Sequence, residues 1–314
     1  MSKLTRRSFT ASSAAALTLL AGTKSFAADK VAKIGYQKYG NLLLLKESGI
    51  LEEKLKPLGY TVDWKQFVAG PQLLEALGAG AVDFGTTGET PPIFAQAAGA
   101  PLLYLGTEPP ATTGEAIIVL KDSPITTVAG LKGKRIAFNK GSNVHYLVVR
   151  ALEKAGISID DITPVYLTPP DGRAAFERKA VDAWAIWDPY LASAQASLPT
   201  RVLTDATGVV PNHQFYLGSR RFSDQAVISA FLDAIVEIDR KTAGNPRAAA
   251  KILAPATGIP ESVLSDALAR QAWSIQPIDS KIVATQQEIA DTFFKLGLIP
   301  KAIKIADALP GSPS

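Results

Sequence analysis

Three short segments concentrate the residue types that could hold a small anion. The first is Val82-Asp83-Phe84-Gly85-Thr86-Thr87-Gly88-Glu89-Thr90-Pro91-Pro92, which reads as a strand, a Gly/Thr turn and a helix start. Pro91-Pro92 suits a first helical turn, where no intrahelical donor is lost. Backbone N–H groups and the hydroxyls of Thr86, Thr87 and Thr90 can converge there on an anion, although an ordinary capping turn would use the same residues. The second, Phe138-Asn139-Lys140-Gly141-Ser142-Asn143-Val144-His145, repeats the design, with Ser142 or Asn143 capping a helix. One such turn is weak; two, one per lobe, read as a split anion clamp. Neither fits the Walker pattern, which disfavours a nucleotide phosphate.

The third segment, Val181 to Tyr190, carries two tryptophans. Strand alternation puts Trp184 and Trp187 on opposite faces. Trp184 is read as core; Trp187, at the carboxyl end of the strand, can line a cleft or donate its indole N–H. Asp188 before Pro189 is read as a helix cap ahead of a ligand contact. Gln37 ends an earlier strand with an amide that offers two donors and an acceptor. Glu89 repels an anion unless it holds the cationic part of a zwitterion or is balanced by Arg173 or a lysine. His145, one turn into a helix, is read as packed or hydrogen-bonded, not as a base. No nucleophile elbow, metal-ligand cluster or cofactor fingerprint is present.

These turns need strands and helices to aim them. Val31–Tyr36, Thr61–Val68, Val82–Gly85 and Pro101–Gly106 read as strands, with helices at Leu42–Lys56, Pro71–Leu77 and Pro91–Ala98 between them. That rhythm predicts an α/β fold with largely parallel sheets. After Ser223 the pattern is helical, over 225–243, 246–253, 260–272 and 280–296, and the Pro/Gly/Ser tail after Leu309 is expected to fray. Two segments recur: Ile34–Asn41 aligns with Ile136–Asn143, and Ala81-Val82-Asp83 with Ala180-Val181-Asp182. Two similar lobes facing each other would enclose a cleft beyond the carboxyl ends of their strands.

Composition narrows the function. The 314 residues are enough for two domains. With no cysteine, disulfides, thiolate catalysis and iron–sulfur ligation are excluded, and two histidines argue against a His-rich metal site. Residues 1–27 read as a signal peptide: a basic start, an apolar run from Ala11 to about Gly22, and a Ser25-Phe26-Ala27 cleavage site. Thr5-Arg6-Arg7-Ser8-Phe9 resembles the twin-arginine export signal. The leader holds Lys3, Arg6, Arg7 and Lys24 of the 33 basic residues, so the rest carries 29 against 29 acidic ones and is formally neutral. That removes the electrostatic case for nucleic acid. The expectation is a periplasmic protein.

Several longer motifs carry a family resemblance. Gly35-Tyr36-Gln37-Lys38, Ala69 to Leu77, Thr87 to Ala100 and Glu108-Pro109-Pro110 resemble the aliphatic sulfonate-binding proteins of bacterial ABC importers. So do Lys132-Gly133, Ala137 to Ser142, His145 with Arg150-Ala151-Leu152, Tyr166 to Pro169, and Val181 to Tyr190. The resemblance implies a two-lobed type II periplasmic binding protein fold with a ligand cleft between lobes: 28–118 plus 218–314 as lobe 1, 119–217 as lobe 2, and crossings near Ile118 and Leu217. It implies capture of an alkanesulfonate by a monomer that docks on an inner-membrane ABC permease, with no cofactor and no catalysis. The family's ligand contacts map onto Gln37, Thr87, Gly88, Glu89, Ser142, Asn143 and Trp187. Relatives often continue with serines where this chain has Asn143-Val144, and some carry aspartate in place of Glu89, so taurine, nitrate or another small organic anion stays open. A thiamine-pyrimidine synthesis enzyme shares the broader fold.

Overall fold

The computed structural model describes residues 30–312; the signal peptide expected at 1–27 lies outside them. Its elements in chain order are β1 (Lys30–Gln37), α1 (Asn41–Ser48), α2 (Ile50–Leu55), β2 (Tyr60–Phe67), α3 (Gly70–Gly78), β3 (Phe84–Gly88), α4 (Thr90–Ala97), β4 (Leu102–Thr107) and β5 (Glu115–Leu120). There follow β6 (Arg135–Phe138), α5 (Asn143–Lys154), β7 (Thr163–Tyr166), α6 (Pro169–Glu177), β8 (Ala183–Trp187), α7 (Tyr190–Ser197), β9 (Thr200–Asp205) and β10 (Gln214–Ser219). Four helices close the chain: α8 (Gln225–Ala243), α9 (Pro246–Thr257), α10 (Glu261–Arg270) and α11 (Ser280–Lys295). The helix expected over 42–56 is two, because Gly49 adopts φ 70° between α1 and α2. The tail is docked as far as Ser312, whose carbonyl and hydroxyl accept from Arg220 at 3.2 and 2.8 Å.

The strands form two five-stranded sheets, ordered β2-β1-β3-β10-β4 and β7-β6-β8-β5-β9. The orders correspond position for position, with β1 matching β6, β2 matching β7 and β3 matching β8. In each sheet the first three strands are parallel, and the fourth, contributed across the cleft, runs antiparallel to its neighbours. The sequence repeat thus marks equivalent positions. Asp83 Oδ2 accepts the Lys33 N–H at 2.9 Å, and Asp182 Oδ2 accepts the Arg135 N–H at 2.8 Å, one such bond per lobe.

Sheet membership moves the lobe boundaries. Ile118 and Leu217, the expected crossings, lie inside β5 and β10, paired with the second and the first sheet respectively. The chain therefore crosses earlier, over 108–114 and 206–213. Past their first residues, Glu115 and Gln214, both strands run on through apolar residues, Ala116–Leu120 and Phe215–Leu217, so nothing near Ile118 or Leu217 marks a change of lobe.

Alternation along the strands divides the core into layers. Ala116 and Ile118 join Phe176, Trp184 and Leu191 on the outer face of the second sheet. On the outer face of the first, Ile34, Phe84 and Tyr216 pack with Leu42, Phe231 and Leu253. Ile117 and Val119 turn the other way, into a layer that runs from Leu73 and Ile93 of lobe 1 through Leu147 of lobe 2 to Phe293 of α11. Phe293 is fully buried, with ring centroids 5.0 Å from Phe94, 5.2 Å from His145 and 5.8 Å from Tyr146. One side chain of the last helix thus packs on both lobes. Phe293→Ala should leave a cavity there and cost ~3–5 kcal/mol in urea unfolding; a change below about 1 kcal/mol would show that this layer does not join the lobes.

Candidate functional site

The carboxyl ends of β1, β3 and β8 and the starts of α3 and α5 open on one cavity of about 120 Å³, backed by both crossings. Gln37 lines it; its amide donates one N–H to the Thr86 carbonyl at 3.2 Å, leaving a second for a ligand. Gly70, the first residue of α3, also lines it and is pressed against α4: a Cβ there would sit 2.9 Å from Pro91 Cγ. Ser142 precedes α5 and lines the cavity, but its hydroxyl donates to the Asn139 carbonyl at 2.7 Å. The first-turn N–H groups of a helix have no intrahelical acceptor, and the positive end of the helix dipole adds to their pull on an anion.

Asn143 does not cap its own helix. Its Oδ1 accepts the N–H of Thr90, the first residue of α4 in the opposite lobe, at 3.1 Å. Its Nδ2 donates to Asn212 Oδ1 at 2.7 Å and to the His213 carbonyl at 3.4 Å, both on the second crossing. The cap expected within one lobe is delivered across the cleft. At Gly88 the lobes approach closely: a Cβ there would fall on the Asn143 amide.

Five of the seven expected contacts line the cavity: Gln37, Gly88, Ser142, Asn143 and Trp187. Two do not. In β3, Thr86 and Gly88 face the cavity, so the intervening Thr87 side chain packs beside Gly70, where its hydroxyl donates to the Gly88 carbonyl at 2.9 Å. Glu89 is fully buried, and its carboxylate accepts the backbone N–H groups of His213 at 2.7 Å and Asn212 at 3.3 Å. It anchors the second crossing. Burial pushes its carboxyl up to about 8 against those two hydrogen bonds. Glu115, where the first crossing enters β5, is also fully buried; no group hydrogen-bonds either oxygen, and burial with the Glu89 charge holds it well above the usual carboxylate range. Glu108, on the same crossing, accepts from Tyr216 at 2.6 Å and from the Ser274 N–H at 2.7 Å, and burial raises it too.

Arg173 does not balance Glu89. It pairs with Glu177 and Ser197, each at 2.7 Å, away from the cavity. The guanidinium that lines the cavity is Arg270, at the end of α10. It lies 3.2 Å from Asp188 Oδ2 and donates to Gln195 at 3.0 Å. Asp188 also accepts the Ala192 N–H at 3.0 Å, so it caps α7 as expected, and burial lifts it to about 6 despite Arg270. Tyr39, Tyr190, Gln271 and His213 complete this wall. Sequence reasoning missed Arg270, Gln271 and Tyr39; the first two lie in the helical final third, with no motif of their own. His145 is packed, as expected. Its Nδ1 accepts the Gly141 N–H at 3.2 Å, the ring lies among Phe94, Phe138, Tyr166 and Phe293, and burial pulls it down to about 3. Among the described residues there is no group of three metal-ligating side chains and no helix long and apolar enough to cross a membrane.

Residues 59–249 match the family described as NMT1/THI5 like. Over 276 residues, 87% of this chain and 86% of the relative, the sequence is 45% identical to an aliphatic sulfonates-binding protein of Escherichia coli (strain K12). The fold superposes with a TM-score of 0.86 on the alkanesulfonate-binding protein of Xanthomonas axonopodis pv. citri bound to MOPS, at 40% identity, covering 90% of this chain and 99% of that one. It superposes with a TM-score of 0.82 on the periplasmic aliphatic sulphonate binding protein of E. coli, at 42% identity over 91% and 93% of the two chains.

Two outcomes test this geometry. Glu89, Glu108 and Glu115 bind protons more tightly folded than unfolded, so unfolding releases protons and stability falls as pH rises through their folded values. Between about pH 7 and 8.5, above the titration of unfolded histidine, the melting temperature should fall, and Glu89→Gln should flatten the slope; a flat wild-type profile would contradict the burial of these acids. Gly88→Ala should hold the lobes apart. X-ray scattering should give it a larger radius of gyration than wild type, and an unchanged radius would mean that the Asn143 approach does not limit closure.

Proposed function

The chain belongs to the aliphatic sulfonate-binding proteins of bacterial ABC importers, and from that membership we propose that it captures a small organosulfonate between its lobes and delivers it to an inner-membrane permease. The carrying observation is the cavity lined by the helix starts at Gly70 and Ser142, one from each lobe, and by the Gln37 amide. A sulfonate stays ionised at physiological pH and offers three acceptor oxygens with no proton to give. Such an anion is held by donors, and helix-start N–H groups supply them without a full counter-charge. Of the buried carboxylates, Glu89 and Glu115 do not line the cavity; Glu108 and Asp188 do, with Glu108 engaged by Tyr216 and the Ser274 N–H and Asp188 paired with Arg270. In this reading Gln37, Gly88, Ser142, Asn143 and Trp187 surround the ligand, and Thr87 and Glu89 shape the wall behind it.

The proposed protein is a periplasmic monomer that binds without chemical turnover, exported with residues 1–27 as its leader and Arg6-Arg7 selecting the twin-arginine route. Relatives bearing the sulfonate-binding name and the two-lobed fold support the binding role and the periplasmic location.

Calorimetric titration of residues 28–314 with alkanesulfonates, sulfate and nitrate tests it. Alkanesulfonates should bind and nitrate should not. Gln37→Leu keeps the side chain's bulk and removes its donors; losing one charge-assisted bond should weaken sulfonate binding by roughly ten- to a hundredfold with little change in melting temperature. Nitrate binding with no heat from any sulfonate would overturn the assignment.

A further inference from the structure

The two walls of the cavity differ in what they leave unpaired. The wall of helix starts offers donors, as a sulfonate requires. The wall formed by β1's end, α7 and α10 leaves acceptors. Asp188 is 6% exposed; its Oδ1 takes the Ala192 N–H at 3.0 Å and an Arg270 N–H at 3.4 Å, whereas Oδ2 lies 3.2 Å from the guanidinium with no hydrogen bond. The Gln271 Oε1 is enclosed and unpartnered, its Nε2 being given to Asn41. The Tyr39 hydroxyl is enclosed beside Asp188 and Arg270 and has no partner either. All three residues line the one cavity. Arg270 does not make this wall cationic, because Asp188 pairs with it. Lys38, between Gln37 and Tyr39, also lines the cavity.

Resting on the sulfonate reading above, we propose that Asp188, Tyr39 and Gln271 form a second subsite that recognises an amino group at the far end of the ligand, making amino-alkanesulfonates the favoured substrate class. An ammonium brings three N–H donors and one positive charge; the wall presents three acceptors without a hydrogen bond, one of them a carboxylate oxygen. The carboxylate that meets a ligand's cation is then Asp188 and not Glu89, whose oxygens are spent on Asn212 and His213. Simple alkanesulfonates leave these acceptors unpaired on closure, which is how a site built for a hydrogen-bonding group rejects the analogue that lacks it.

The test is calorimetric titration of the full mature protein with propane-1-sulfonate and 3-aminopropane-1-sulfonate, ligands alike but for the amine. Wild type should bind the amino ligand about tenfold or more tightly than the alkane. Asp188→Asn keeps an acceptor for Ala192 and removes the charge, so it should weaken the amino ligand by roughly ten- to a hundredfold and move the alkane by less than about threefold. Tyr39→Phe, which breaks no existing hydrogen bond, should weaken the amino ligand alone and more mildly, guarding against an Asp188 variant that folds poorly. Equal or tighter binding of propane-1-sulfonate by wild type would overturn the subsite and leave the sulfonate assignment standing. A parallel loss of both ligands in Tyr39→Phe would place the sulfonate itself on this wall and overturn it as well. Binding of neither by wild type would overturn the subsite and the sulfonate reading together.

Discussion

Everything about the cleft depends on how closely the two lobes approach, and one amide sets that approach. Asn143 stands at the first turn of a lobe 2 helix and bonds to the first turn of a lobe 1 helix and to the second crossing. The amide both accepts and donates, so it satisfies an orphan helix-start N–H on one side and crossing acceptors on the other. Glycine at position 88 follows from it, because any Cβ there would occupy the amide's place. A serine at position 143 would be too short to make the same span.

The crossings behind the cleft are held by buried acids. Glu89 fixes the backbone at Asn212 and His213, and Glu108 ties the first crossing to Tyr216 and to the connector at Ser274. Burying a carboxylate is costly, and among the described residues Glu115 has no hydrogen-bonded partner at all. All three are pushed toward holding their protons, which lowers the negative charge beside an anion site. The acids therefore organise the backbone around the ligand position while the cavity surface stays supplied with donors.

The same economy explains how α10 and α11 serve the site from the far end of the chain. Phe293 wedges between Phe94 and Tyr146, and Arg270 reaches Asp188 on lobe 2. Ala267 of α10 packs with Ala192 of α7 in a small apolar contact that brings the ion pair to the cleft wall. Apolar packing thus positions groups whose charges alone would give little, since a paired guanidinium and carboxylate contribute modestly once their desolvation is counted.

How much of this was legible in the sequence divides along a physical line. The two lobes were legible, because β1 and β6 must each be a buried strand ending in a polar turn and helix, and Asp83 and Asp182 must each hold the same neighbouring N–H; similar local demands left similar residues 99 to 102 positions apart. Gln37, Gly88, Ser142, Asn143 and Trp187 were legible as cleft residues for the same reason: each stands at a strand's carboxyl end or a helix's start. Thr87 and Glu89 face elsewhere, because the structure continues β3 to Gly88, so alternation turns Thr87 away from Thr86 and Gly88, and Glu89 is drawn to the Asn212 and His213 N–H groups of the second crossing. The crossings were misplaced by a few residues, since Ile118 and Leu217 lie within apolar runs of β5 and β10 whose sheet is chosen by distant partners. Arg270 was invisible: it meets Asp188 across 82 positions of sequence, and only tertiary packing of α10 on α7 brings the two within hydrogen-bonding reach. Local patterns determine which residues can do chemistry; long-range packing determines which of them face the same space.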